Sequence, residues 1–380
     1  MKWEKVKLGE VLDNIVGGGT PSKLNLNYWS GNIYWCSVKD MSFDTHYLSS
    51  TKDTITEEGL KNSTSNLIKQ GTVITATRMG LGRAFINKVD MAINQDLKAL
   101  IPNKKIDNLF LLWTIIYKRE EILSMGRGAT VNGITLDMLT DIQITLPPLD
   151  IQRKIANTMS MYDDLIENNQ KQIKLLEEAA QRLYKEWFVD FRFPGYENAK
   201  FIDGIPEGWK KEPVGSIIDN ISRKKQIKAT DYLDVGAIPI VDQGKIFIAG
   251  YTNDNEAIIN IKKPVIVFGD HTRILKYVQF PFAKGADGTQ LIVSNKTNMP
   301  QSLFYCSLIA VDLSNYHYAR HFKYLKAETI LVPTKDIADR FDVLVAPVFY
   351  MIQNLRDISS KLTQARDRLL PKLMSGEIEV

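Results

Sequence analysis

The feature that most constrains this chain is that it is written twice. Trp3, Leu8, Gly9, Asp13, Asn14 and Ile15 recur 206 positions on as Trp209, Val214, Gly215, Asp219, Asn220 and Ile221. A second correspondence runs at an offset of 186, from Ile144, Leu146 and Pro147 against Ile330, Val332 and Pro333 through Ile166, Ala179 and Leu183 against Ile352, Ala365 and Leu369. The first copy therefore holds about twenty extra residues between its matching ends. A period this long is outside the 20 to 50 residues of solenoid repeats and reads as a duplicated domain-plus-helix unit.

Each copy ends in a heptad pattern. Ile155, Met159, Tyr162, Ile166, Asn169, Ile173, Leu176, Ala180, Leu183 and Trp187 follow steps of four and three, the seam of a supercoiled helix pair. The same offset carries the seam to Phe341, Val345, Val348, Ile352, Leu355, Ser359, Leu362, Leu369 and Leu373, with Arg366 as its irregular member. Asn169 either sets register at a cost in stability or faces solvent. Pro347 predicts that the second helix starts or kinks there, because proline lacks the N–H and disfavours helix in the residue before it. The first seam spans about 48 Å at about 1.5 Å per residue, longer than one turn of B-DNA, about 34 Å. Pairing within the chain and dimerisation between chains both satisfy the pattern.

The expected architecture is α+β: two similar, strand-rich modules separated by two long antiparallel helices in a pseudo-twofold arrangement. Boundaries fall at 1–148 (first module), 149–192 (central helix), 193–206 (linker), 207–334 (second module) and 335–380 (C-terminal helix). In the first module, strands are expected at Ile33–Val38, Thr72–Thr77 and Arg83–Ile86 and one helix over 107–125, capped by Asp107 or Asn108 and ended by Gly126. The second repeats the plan, with strands at Pro264–Phe268, Lys276–Phe280 and Leu291–Ser294 and a helix within Gln301–Leu313.

The net charge of +4 is unevenly spread. Residues 1–150 hold 17 Lys/Arg against 16 Asp/Glu, and 207–334 hold 16 against 12. That excess permits a polyanion without demanding one. No stretch is apolar enough to span a membrane and the N-terminus has no signal-like apolar core, so a cytoplasmic location is expected. Cys36 and Cys306, one in each module, read as reduced, partly buried thiols.

Catalytic signatures are missing from the sequence. There is no Gly-x-x-x-x-Gly-Lys-Ser/Thr loop for a nucleoside triphosphate and no Asn/Asp-Pro-Pro-Tyr/Phe tetrad of an amino-methyltransferase. Gly17-Gly18-Gly19 lacks the strand-loop-helix context of a phosphate cradle and reads as a flexible loop. His317 and His321 have the spacing of helical metal ligands but no third ligand nearby, and His46 and His271 have no visible partner.

Reading of base edges needs Arg or Lys for guanine, Asn or Gln for adenine and small hydroxyls elsewhere, while phosphates need Lys, Arg and hydroxyls. Candidates in the first module are Thr20 and Ser22; Arg78, Gly80 and Arg83 after a strand; Asn94, Gln95 and Lys98; and Arg127, Thr130 and Asn132. In the second they are the basic run Arg223, Lys224, Lys225 and Lys228; Asp270, His271, Thr272 and Arg273, in the position of the Arg78 loop; Lys284, Asp287, Thr289 and Gln290, in the position of Asn94 to Asp96; and Arg320. The plain alternative for each segment is a turn, since Gly, Asn and Asp favour turns for backbone reasons.

Three further segments add a resemblance. Arg182-Leu183-Tyr184-Lys185-Glu186-Trp187-Phe188-Val189-Asp190-Phe191-Arg192-Phe193-Pro194-Gly195, followed by Gly204-Ile205-Pro206-Glu207-Gly208-Trp209, resembles the central conserved region of type I restriction-modification specificity subunits. Leu146-Pro147-Pro148-Leu149 with Gln152, Ile155 and Ala156 is similar to that family's entry into the first helix, and Leu369-Leu370-Pro371-Lys372-Leu373-Met374-Ser375-Gly376-Glu377-Ile378 to its closing segment.

The resemblance implies a non-catalytic subunit serving defence against foreign DNA. Each module would be a target recognition domain for one half of an asymmetric two-part DNA sequence, and the helices would fix the gap. Two modification subunits, carrying S-adenosylmethionine for adenine methylation, would dock on the helices. Restriction subunits, with ATP and Mg, would join them. Ile155, Met159, Ile166, Asn169, Ile173, Leu176, Leu183, Trp187 and Phe188 with Ile352, Leu355, Leu362, Leu369 and Leu373 are the expected helix and partner interface. Neither cofactor nor metal is expected on this chain. A type IIB-like specificity subunit, a standalone enzyme with fused recognition domains and a protein-binding scaffold remain as alternatives.

Overall fold

The computed structural model describes residues 3–42, 45–126, 133–219, 224–316 and 320–380. The chain divides into two compact units, Met1–Asn169 with Ile358–Val380, and Gln170–Asp357. Each unit thus holds one module and a stretch of both long helices, Leu149–Tyr184 and Lys335–Ser375.

In the first unit, strand Glu4–Lys7 pairs antiparallel with Gln143–Leu146, which leads directly into the central helix. The module contains a four-stranded sheet ordered Asp53–Ile55, Trp29–Cys36, Met91–Ile93, Leu67–Ile68, whose inner pair is parallel. A five-stranded sheet runs Leu12–Gly17, Leu97–Pro102, Val73–Ala76, Ala84–Asn87, Tyr47–Leu48. Val73, Ile74, Leu97, Ala99 and Leu100 are fully buried and carry the core of this sheet.

The second unit rebuilds the same plan. Lys210–Pro213 pairs with Thr329–Val332. The four-stranded sheet is ordered Gly250–Thr252, Ile238–Val241, Phe282–Lys284, Ile258–Ile259, again with a parallel inner pair. The other sheet keeps three strands, Leu275–Val278, Val265–Gly269 and Thr289–Ile292. Among the described residues, the counterpart of Leu12–Gly17 contributes a bridge between Ile218 and Ser294. The duplication read from the ends of the modules therefore extends to strand order and strand direction.

Both seams are satisfied within the chain. In the first unit Ile155, Ala156 and Met159 share a core with Leu370, Leu373 and Met374, flanked by Leu369. Asn169 is buried there and its Nδ2 donates to Ser359 Oγ at 3.2 Å, which pins register. In the second unit Ala180, Tyr184, Trp187 and Phe188 pack with Phe341, Val345 and Ile352, with Ile173, Leu176 and Leu183 alongside. The residue numbers run in opposite senses along the two helices, so within each unit they are antiparallel.

Three expectations need correction. The C-terminal helix starts at Lys335 and runs through Pro347. Pro347 and Val343, whose carbonyl loses its partner, lie on the exposed face, where water can replace the missing bond. The helix expected over 107–125 is two, Asn108–Tyr117 and Arg119–Met125, broken at Lys118, whose N–H bonds back to Thr114 and Ile116. Gly17 to Gly19 is a packed segment: a Cβ on Gly18 would lie 1.9 Å from the Ile93 carbonyl oxygen and one on Gly19 1.9 Å from Thr64 Oγ1. These glycines serve close backbone approach. Cys36 and Cys306 are free and fully buried, and burial pushes both thiols well above their usual range. Among the described residues, no helix is long and apolar enough to cross a membrane.

Candidate nucleic-acid interface

In the first module the hairpin Val73–Ala76 to Ala84–Asn87 turns through Thr77 to Arg83, with Met79 at φ +60°, left-handed without being glycine. Arg78 is exposed, its Nε 3.7 Å from Asp96 Oδ1. Asp96 is oriented by Asn94, which bonds both its side chain (3.2 Å) and its N–H (3.1 Å). The exposed Gln95 joins two loops: its Oε1 accepts from Thr20 Oγ1 at 2.6 Å and its carbonyl from Lys98 Nζ at 2.8 Å. Burial lowers the Lys98 pKa, Asp96 opposing and Arg78 reinforcing the shift. Thr20, Arg78, Gln95 and Lys98 thus form one polar cluster drawn from three loops and the start of a strand, and Ser22 is exposed two residues after Thr20.

In the second module the equivalent hairpin, Val265–Gly269 to Leu275–Val278, also turns through a left-handed non-glycine residue, Arg273 at φ +61°. His271 and Thr272 are exposed at the turn, and Asp287 is exposed on the segment joining Phe282–Lys284 to Thr289–Ile292. Lys224, Lys225, Lys228 and Arg320 are exposed, while Lys284 and Gln290 are half-buried.

Several expected contact residues have other work. Asn94 is buried and spends its amide on Asp96. Gly80 is buried against Val38. Asp270 is buried, its carboxylate accepting from the Phe322 N–H (2.7 Å) and its carbonyl from the His321 N–H (2.8 Å). Thr289 is fully buried. The Arg83 guanidinium reaches the Val38 and Met41 carbonyls at 3.4 and 3.3 Å, and that of Arg273 the Tyr316 carbonyl at 2.8 Å. Lys225 pairs with Asp254 at 2.7 Å, and this bond raises its pKa. These groups shape the loops; a polar side chain within a strand-to-turn sequence does not by itself disclose which. Arg127, Thr130, Asn132, Arg223 and His317 lie outside the described residues. Both ring nitrogens of His321 sit at hydrogen-bond distance from carbonyls, 2.9 Å from Asp270 and 3.0 Å from Tyr316, which gives this histidine a structural role.

Two arrangements were not visible in the sequence. His46 Nδ1 lies 2.6 Å from Asp163 Oδ2, and Asp163 Oδ1 accepts from Arg366 Nη1 at 2.6 Å, all three side chains being nearly inaccessible. Burial works against the Arg366 charge, but Asp163 and Asp367 outweigh it and hold its pKa above the usual range. The irregular member of the second seam is therefore an ionic link. The second is Gln243, whose Asp242-Gln243-Gly244 context after an apolar strand signals a turn and nothing more.

Most seam residues are consumed in intramolecular packing. The apolar side chains left exposed on the helices are others, including Met161 and Leu165 in the first unit and Leu175 and Met351 in the second.

Two strand-rich modules built on the same sheet order, each with its own stretch of both long helices, define the class of a duplicated module-plus-helix subunit. Residues 1–178 match the family model described as type I restriction modification DNA specificity domain. The MjaIX type I restriction enzyme specificity subunit of Methanocaldococcus jannaschii is 28% identical over the whole of this chain and 94% of its own length. The Escherichia coli EcoR124I/EcoR124II specificity subunit is 32% identical over 49% of this chain and 48% of that protein. A crystal structure of the S subunit of a type I restriction-modification system from M. genitalium shares the fold, with a TM-score of 0.58 at 16% identity over 98% of this chain and 96% of that one. Over its whole length the chain is thus similar to type I restriction enzyme specificity subunits, and its first 178 residues match their DNA specificity domain.

Proposed function

We propose that each module reads one half of a two-part DNA target through its loop cluster, and that the helix pair sets the unspecific gap between the halves. The observation that carries this reading is the repetition of one sheet order in both units with different side chains on equivalent turns: Arg78 and Gln95 in one, His271, Thr272 and Asp287 in the other. One scaffold with two sets of loop chemistry suits an asymmetric sequence. The central helix, with 36 residues, is about 54 Å long at about 1.5 Å per residue, enough to separate two reading heads by more than a DNA turn.

Two modification subunits dock on the helices in this reading, against exposed side chains such as Met161, Leu165, Leu175 and Met351 rather than the buried seam. S-adenosylmethionine belongs to those subunits, and ATP and Mg to restriction subunits; this chain supplies geometry and letters, in the cytoplasm. Replacing residues 1–148 with the first module of another family member tests the reading by methylation sequencing of DNA modified by the assembled complex. One half of the target changes if it is right; a change in both halves, or DNA binding without sequence choice, overturns it.

A further inference from the structure

Gln243 follows the strand Ile238–Val241 of the second module's four-stranded sheet and touches two segments that belong elsewhere. Its Oε1 accepts from the His271 N–H at 3.1 Å, at the turn of the other sheet's hairpin. Its Nε2 donates to the Asp287 carbonyl at 2.6 Å, on the segment that crosses from one sheet to the other. Its own carbonyl accepts from Thr272 Oγ1 at 2.6 Å. Both neighbours come close only because they offer glycine: a Cβ on Gly269 would lie 2.9 Å from Gln243 Cβ, and one on Gly288 2.9 Å from Gln243 Nε2.

The base of this bracket is fixed as well. Asp242 accepts from the Tyr232 hydroxyl at 3.3 Å and from the Gly244 N–H at 2.8 Å, and lies 3.8 Å from the buried Lys276 ammonium. Asp287 Oδ1 in turn accepts from Gln226 Nε2 at 3.3 Å. One half-buried amide therefore sets the separation of His271, Thr272 and Asp287, three exposed groups on two loops.

We propose that Gln243 is the positioning residue of the second module's reading surface, holding the 271–272 turn and the 286–288 segment at the spacing that matches one half-site. The inference rests on the two-part reading above. Exposed loops without this amide sample several spacings, and a reader whose groups are not held in place loses discrimination before it loses contact.

The test uses the full chain assembled with its modification subunits and a plasmid library, with methylated sites read by sequencing. Gln243→Met keeps the side-chain length and removes both side-chain hydrogen bonds. Gln243→Glu keeps the acceptor for the His271 N–H and removes the donor to Asp287. The expected result for Gln243→Met is a loss of roughly tenfold in preference for the correct letter within one half-site, the size of one good base contact. The other half-site and the melting temperature stay unchanged, and Gln243→Glu, whose carboxylate would face the Asp287 carbonyl oxygen, gives at least as large a loss. A two-part wild-type target with unaltered letters in both variants overturns the proposal alone. So does a uniform fall in methylation at every site accompanied by a lower melting temperature. A wild-type complex whose target is not divided in two overturns the reading and the proposal with it.

Discussion

The two units share a topology and differ in how the module is fastened to its helices. In the first, Asp163 of the central helix bridges His46 of the module and Arg366 of the C-terminal helix in a buried hydrogen-bonded chain, beside Trp113, whose ring centroid lies 5.1 Å from that of His46. In the second, the fastening is aromatic: Phe188, Phe341, Trp187 and Trp209 pack in one core, Phe188 and Phe341 edge to face with ring centroids 5.1 Å apart. Its ion pair, Arg356 with Glu177 at 2.8 Å, is part-exposed, and the guanidinium lies over the Phe247 ring. The acid sits on the central helix and the base on the C-terminal helix in both units. Duplication preserved what the backbone needs, namely strand order, and let the side-chain solution drift.

The sharpest way to break this comparison is to remove one acid from each unit. Asp163→Ala leaves Arg366 and His46 facing a buried void and is expected to cost about 3–5 kcal/mol. Glu177→Gln removes a part-exposed partner and is expected to cost about 0–1 kcal/mol. Urea unfolding followed by tryptophan fluorescence measures both, and equal losses would mean that the two fastenings are energetically alike.

A medium effect is expected at the reading loops. Arg78→Ala should lower discrimination in one half of the target by about 1–3 kcal/mol. Lys228→Ala should weaken binding at all sequences alike and make the salt slope shallower by about one. Binding titrations over a salt series separate the two, and an Arg78 effect spread evenly over all sequences would assign that side chain to phosphate.

The smallest effect concerns Lys276, a buried lysine on the second module's hairpin whose first-module counterpart, Ala84–Asn87, has none. Burial lowers its pKa to about 8, with Asp242 opposing the shift. Below about 8 both folded and unfolded chains hold the proton and the cost of the buried charge is constant. Between about 8 and 10.5 only the unfolded chain holds it, so this group adds stability as pH rises through that window. The melting temperature of the wild type relative to Lys276→Met should therefore climb from pH 8 to pH 10, and a flat difference would refute the shift.

Much of this was legible because the relevant signals are periodic. The heptads gave both helices and about half of their buried positions, missing Gln152, Asp163, Phe349 and Leu370 among others, and turn residues between apolar runs located the hairpins within a residue or two. Pairing partners are not periodic. Nothing near His46 in the chain points to Asp163 and Arg366, which lie 117 and 320 positions away, and a charged residue in a seam looks like a flaw until its partner is placed. The loops failed differently: Asn94, Asp270 and Thr289 have the side chains of base readers, but the same acceptors and donors serve a backbone N–H equally well. Gln243 was missed because its importance lies in what it separates.

The strand pairs Glu4–Lys7 with Gln143–Leu146 and Lys210–Pro213 with Thr329–Val332 act as clasps. Everything between the two sides of a clasp hangs from it, so the frame is indifferent to how much chain is enclosed. The twenty or so residues by which one enclosed segment exceeds the other alter the entropy of closure by only about 0.1 kcal/mol, since that term grows with the logarithm of length. A chain built this way tolerates enlargement, trimming or wholesale exchange of its contents at almost no energetic penalty to the scaffold that carries them.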